Sequence, residues 1–225
     1  MGATLAQNFV HSTNYRNFLT RCDSQFVIAP ATPSEIKDTV LNMRNSCPGY
    51  DNLPTRLFKD NIDSLADIIT HLCNKSFAEG IFPERLKVAR VTCVYKAGDR
   101  SEFKNYRPIS VLCCFDKILE KLITNRIVNY FDSNNLFTHS QFGFRKQLST
   151  SDAVQQMVSY LYDAFDEGET AVGVFLDLAR AFDGIHRGIL LDKLDFYGVT
   201  GTSLSWFHSF LSSRRQYVRL SLIHI

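Results

Sequence analysis

Apolar positions recur with helical spacing along much of the chain. Thr32-Pro33-Ser34-Glu35 reads as a capping box with proline at the first helical position, and Ile36, Val40 and Met43 follow on one face. Cys47–Pro54 is a turn-rich loop, and a second helix then places Leu65, Ile68, Ile69, Leu72 and Cys73 inward. Asp116–Phe131 carries the clearest stripe: Ile118, Leu119, Leu122, Ile123, Ile127 and Phe131. Ser149 or Thr150 caps a helix bearing Val154, Met157, Val158, Leu161 and Phe165. Ile189–Tyr197 reads as a helix that Gly198 ends, and Ser203–Leu211 as another carrying Trp206, Phe207 and Phe210. Between them lie strand signals. Val88–Tyr95 is rich in β-formers, Lys96–Asp99 makes a turn, and Asn105–Leu112 is extended with Pro108 favouring an edge or bend. Ala171–Leu178 reads as a buried strand. Helices and strands mixed in this order give an α+β or α/β fold, without internal repeats.

Composition adds limits. With 225 residues, 45% apolar and 21% charged, the chain is an ordinary globular sequence of one large or two small domains. Its net charge of +2 does not by itself argue for nucleic acid. Local distribution does: Arg85, Lys87, Arg90, Lys96, Arg100, Lys104 and Arg107 stand against Asp99 and Glu102. Such a run is either a phosphate-facing surface or a solvated face. The six cysteines form no C-x-x-C pair and no histidine pair has zinc spacing, so buried thiols in a reducing compartment are expected. No signal peptide, membrane span or myristoylation pattern is legible, since position 6 is Ala.

The chemistry concentrates at Phe175–Asp183, FLDLARAFD. An apolar run ending in Asp177 puts a carboxylate where burial is costly unless it is paired or metal-bound. Taken alone, a capping or salt-bridged aspartate is the better explanation, and only the surrounding motifs overturn it. Together with VARVTCVYKAGDRSEFKNYRPISVL, KILEKLITNRI, QFGFRKQLSTSDAV, VGVFLDLARAFDGIHRGILLDKL and FLSSRRQYV, in this order over about Arg85–Val218, it resembles the reverse transcriptases of non-LTR (LINE-type) retrotransposons. SEIKDTVLNMRNSCPGYDNLPTRLFKDN is similar to that family's lead-in segment.

The resemblance implies a right-hand polymerase fold, here the fingers and the first part of the palm. Asp177 matches the first catalytic aspartate, which binds two Mg²⁺ ions, and the Leu178 carbonyl matches a backbone metal ligand. Phe182 matches the steric gate against a ribose 2′-OH, which favours deoxynucleotides; Asp183 has no assigned step. Arg107 matches a finger residue gripping the triphosphate, with Lys96 a second candidate. Gln141, Gly143 and Arg145 match a loop near template and nucleotide; Phe142 and Phe144 either stack on bases or pack beneath the fingers. The implied partners are an RNA template, a DNA primer or target DNA, and deoxynucleoside triphosphates, with no membrane. The implied location is intracellular, in the nucleus or a cytoplasmic ribonucleoprotein.

The family pattern continues into a GxPQGS-like loop and an aromatic-x-Asp-Asp hairpin, and neither occurs within these residues. A single aspartate does not hold two metals about 3.5–4 Å apart, so the chain is expected to be inactive alone. The expected organisation is a linker over 1–29, lead-in and fingers over 30–170, the start of the palm over 171–219, and a tail over 220–225. LSLIHI, Leu220–Ile225, is one translation of a transposase adapter end used in sequencing libraries, which would make it non-native; a genuine short strand is the other reading. Two alternatives to a polymerase segment stand: a non-catalytic RNA- or DNA-binding remnant of a decayed element, and an unstable fragment with an open sheet edge.

Overall fold

Helices α1 (Pro33–Asn42), α2 (Thr55–Asp60) and α3 (Ile62–Glu79) come first, and a strand pair follows, β1 (Val88–Tyr95) and β2 (Tyr106–Val111). Then come α4 (Cys114–Ser133), α5 (Thr150–Asp166), α6 (Arg187–Phe196), α7 (Gly201–Leu211) and β3 (Arg215–Val218). This is the α+β mixture the sequence predicts. The structure is a computed structural model that describes residues 19, 21–178, 181–182 and 184–218. Most of the expected linker over 1–29, Asp183 and the expected tail over 220–225 lie outside the described residues. The chain divides into two compact units, one of residues 19–130 and 187–218, the other of residues 131–186.

The first unit holds the core. Its sheet runs in the order β2-β1-β3, with β1 antiparallel to β2 and parallel to β3. Pro108 lies on the edge strand β2, where a missing N–H breaks no ladder. Trp206 of α7 is fully buried; its ring meets Phe77, Phe82, Phe207 and Phe210, and its indole N–H donates to Ser76 Oγ at 2.9 Å. A tryptophan is rarely fully buried without such a partner. Ile118, Leu119 and Leu122 of α4 are also fully buried, as its stripe predicts.

Two local expectations are corrected. Thr32 caps α1 by accepting from Glu35 N–H at 3.2 Å, but the Glu35 carboxylate turns to the Arg126 guanidinium of α4, at 2.9 and 2.8 Å. A bidentate charged fork outweighs a capping bond. On α3 the inward face is Ile62, Ala66, Ile69, Thr70, Cys73, Ser76 and Phe77, while Ile68 and Leu72 are exposed. Small residues on that face admit a neighbouring helix, and Ser76 supplies the Trp206 acceptor.

Residues 22–31 lie against the α6–α7 junction. Phe26 bridges Val199, and the Tyr130 hydroxyl donates between the carbonyls of Ser24 at 2.6 Å and Tyr197 at 2.8 Å. Gly198 sits there with φ +88; a Cβ would collide with the Ser24 carbonyl and the Tyr130 hydroxyl. Only glycine meets both demands.

The second unit contains the end of α4, the loop to α5, α5 itself and the segment to His186. Ser149 and Asp152 cap α5 reciprocally, as the Ser149 reading predicts. Its apolar stripe is largely solvent-facing, with Val154 and Phe165 exposed. The strand expected over Ala171–Leu178 is absent: this segment is irregular, and Val172, Val174, Phe175, Leu176 and Leu178 are exposed. Strand geometry needs a neighbour to satisfy its N–H and C=O groups, and none pairs with this segment among the described residues.

Candidate functional site

In the first unit, β1, β2 and β3 set a shared side-chain parity. Residues paired at Cα point to the same face and alternate along each strand. Val94 pairs with Arg107, Arg90 with Tyr217, and Val88 with Arg215. One face therefore carries Arg90, Arg107, Arg215 and Tyr217, with Thr92, Val94 and Ile109 between them. Arg107, Arg215, Val94, Ile109 and Tyr217 are exposed, and Val91 on the opposite face is buried. Among the described residues none of these three arginines forms an ion pair. An open β-face with unneutralised guanidinium groups and a tyrosine ring suits phosphate and sugar.

The basic run from Arg85 to Arg107 is thus not one surface. Lys87 is 3% exposed, paired with Glu84, with Ser209 Oγ at 3.5 Å. Lys104 pairs with Glu102 at 3.2 Å, and Arg100 lies over the Tyr95 ring at 5.1 Å. Arg90 and Arg107 remain for the sheet face, since alternation sends neighbours apart.

The β1–β2 connection is internally bonded. Tyr95 and Tyr106 form an edge-to-face pair at 5.7 Å; their hydroxyls donate to the carbonyls of Gly98 and Arg100. Ser101 donates twice to the Asp99 carboxylate, holding that carboxyl below its usual range. Lys96 is exposed at the start of this loop, and its N–H donates to the Asn105 carbonyl at 2.8 Å.

In the second unit, Arg145 does not reach outward as a free cation. It pairs with Asp132 at 3.0 Å and stacks over Phe137 at 4.3 Å. Gln141 bonds the Gly143 carbonyl at 3.3 Å, and nothing lies within 4 Å of where a Gly143 Cβ would stand. Phe144 has φ +62 and is 91% exposed, its ring edge-on to Phe182 at 6.2 Å. The ring is therefore not packed beneath a core and touches the expected gate. Asp177, Leu178 and Phe182 are exposed. Arg107 and Lys96 belong to the first unit, and the other expected site residues to the second.

The cysteine reading holds in part. Cys73, Cys113 and Cys114 are buried, and burial pushes their thiols up to about 12, 11 and 11; Cys47 and Cys93 are exposed. Sequence reading missed Asp116. It is fully buried on α4, with neither carboxylate oxygen hydrogen-bonded among the described residues and Arg214 Nη2 3.6 Å away. Burial, then the nearby Glu120, raises its carboxyl to about 7 against the pull of Arg214. Arg215 and Tyr217 were also missed as surface groups, because their face depends on a sheet order that no local pattern encodes.

Comparison with known proteins gives a consistent answer. The family model described as reverse transcriptase (RNA-dependent DNA polymerase) matches residues 94–222. The "RNA-directed DNA polymerase from mobile element jockey" of Drosophila melanogaster is 31% identical over 166 residues, 72% of this chain and 18% of that protein. The "Probable RNA-directed DNA polymerase from transposon BS" of the same species is 29% identical over 201 residues, 86% of this chain and 21% of that protein. The one from transposon X-element is 30% identical over 167 residues, 73% of this chain and 18% of that protein. The chain spans about a fifth of the length of these relatives.

Proposed function

The chain belongs to the reverse transcriptase (RNA-dependent DNA polymerase) family, in its non-LTR retrotransposon branch, and from that premise we propose that it supplies the fingers and the first palm segment of an element-encoded polymerase. The reaction is template-directed DNA synthesis, with RNA copied from a DNA primer end by nucleotidyl transfer. The observation that carries this reading is the open sheet face on which Arg107 stands beside Arg90 and Arg215. Arg107 takes the triphosphate of the incoming nucleotide through its fork, and Lys96, in the adjoining loop, is a weaker second contact. Phe182 lies against the deoxyribose, and the loop bearing Gln141 and Gly143 approaches the template. The ion pair and ring stacking of Arg145 favour a role in holding that loop over direct template contact.

The family is generally divalent-metal dependent. Asp177 and the Leu178 carbonyl are suitable oxygen donors for Mg²⁺. Among the described residues, however, no group of three or more His, Cys, Asp or Glu side chains is placed to hold a metal ion. These residues do not compose a two-metal site by themselves, and no step is routed through one. In the complete polymerase Asp177 contributes one carboxylate of several, and residues 1–225 alone are expected not to extend a primer.

Grafting residues 94–218 into the matching stretch of one of the relatives above gives a direct test. Primer extension on an RNA template should persist, and Arg107→Ala should raise KM for the nucleotide more than it lowers kcat. An unchanged KM in an active Arg107→Ala graft would remove Arg107 from the nucleotide site. A second reading, a non-catalytic RNA- or DNA-binding remnant, is favoured by one observation: the arginine face is assembled within these residues, whatever becomes of Asp177.

A further inference from the structure

Arg214 and Arg215 are adjacent, yet they do opposite things. In an extended chain neighbouring side chains leave on opposite faces. Arg215, paired with Val88, is exposed on the arginine face. Arg214 turns inward and its side chain is 24% exposed. Its guanidinium lies 3.4 Å from Glu120 Oε1 and 3.6 Å from Asp116 Oδ2, both on α4 one turn apart. It also lies over the rings of Phe210 at 4.3 Å and Phe82 at 5.3 Å. Two acidic side chains and two neighbouring rings thus surround its guanidinium, which points away from the arginine face.

What this environment holds in place is β3. That strand is four residues long and, among the described residues, pairs on one side only, in parallel with β1. A short parallel ladder contributes little by itself. Its first rung is the Arg215 N–H donating to the Lys87 carbonyl at 2.8 Å, immediately beside Arg214. Asp116 in turn has Arg214 as its ion-pair partner among the described residues.

We propose that Arg214 is a positioning residue that latches β3 to α4 through Glu120, Asp116, Phe82 and Phe210, so that Arg215 and Tyr217 join Arg90 and Arg107 on one nucleic-acid-facing surface. The latch rests on the reading of that face as a nucleic-acid surface. Two observables separate the two ideas. One is binding of the whole chain to a fluorescent single-stranded RNA of ~20 nucleotides between ~50 and ~200 mM salt; the other is hydrogen exchange at the Arg215 amide, with the amide of buried Ile69 inside α3 as the core reference.

Arg214→Gln should weaken RNA binding and make the log–log salt slope shallower by about 0.7, the share of one phosphate contact on a single strand. Arg215→Ala should give the same change in slope. The Arg215 amide should exchange faster in Arg214→Gln while Ile69 stays protected. Arg214→Gln combined with Asp116→Asn removes one stranded carboxylate and serves where the single variant does not fold. A folded variant with the wild-type slope and a protected Arg215 amide overturns the latch. If Arg90→Ala with Arg107→Ala binds RNA as the wild type does, the surface reading fails instead. The exchange result then decides the latch alone: a deprotected Arg215 amide upholds it, and a protected one overturns it.

Discussion

Replacing Asp116 by Asn should stabilise the protein at neutral and alkaline pH and do little in acid. Asp116 is fully buried, and neither carboxylate oxygen finds a hydrogen bond among the described residues. Arg214, at 3.6 Å, offsets only part of the cost of ionising it, and Glu120 opposes that ionisation. Its carboxyl is therefore held up at about 7 in the folded state, against 3.8 for the free group. A raised folded value means the native state binds the proton more tightly than the unfolded chain does. The associated stability is fully present below about pH 4 and is lost as pH rises toward 7. Some three pH units at about 1.4 kcal/mol each give a loss of roughly 4 kcal/mol, half of it incurred by about pH 5.5. Glu120 carries a raised carboxyl for the same reason and adds a loss of the same sign. Urea unfolding of the chain and of Asp116→Asn from pH 4 to pH 8 isolates the Asp116 share. The two stability curves should nearly meet at pH 4 and separate with rising pH, the Asn variant lying above by about 3–4 kcal/mol at pH 8. Parallel curves would refute the reasoning: Asp116 would then ionise as freely in the fold as outside it.

Other substitutions probe the core and the gate. Trp206→Ala removes a fully buried ring and the partner of Ser76, and should cost about 3–5 kcal/mol in chemical denaturation. Gly198→Ala, with φ +88 and a Cβ directed at the Ser24 carbonyl and the Tyr130 hydroxyl, should cost at least ~1–2 kcal/mol and raise proteolysis of residues 22–31. In the grafted polymerase, Phe182→Val should raise ribonucleotide incorporation relative to deoxynucleotide, read as the ratio of kcat/KM values.

The parts of the fold that were legible in the sequence are those decided locally. Thr32 and Ser149 announce helix starts because a short hydroxyl side chain satisfies an orphan N–H wherever it stands. Pro108 announces an edge because it has no N–H to give. The α4 stripe and the Trp206 cluster follow from helical period. What was not legible depends on partners far along the chain. Ile68 and Leu72 of α3 look as inward as Ile69, but Ala66 and Ser76 mark the side on which another helix fits. Glu35 reads as half of a capping box until Arg126, distant in sequence, claims it. The run over Ala171–Leu178 has strand composition, and composition cannot supply the neighbouring strand that would make it one. At the candidate site, Arg107 and Phe182 were legible as motif residues. Arg215, Tyr217 and Asp116 were not, since a face requires knowing which strands are neighbours.

The measurement that bears most directly on the polymerase reading is template-directed incorporation of a single deoxynucleotide by the graft, with and without Asp177→Asn. The expected result is a correctly templated product with Asp177 and none above background with Asn, while template–primer binding is unchanged. A graft that incorporates nucleotide equally well with Asn at position 177 would contradict the assignment of Asp177 as the first catalytic carboxylate and, with it, the account of how this segment takes part in DNA synthesis.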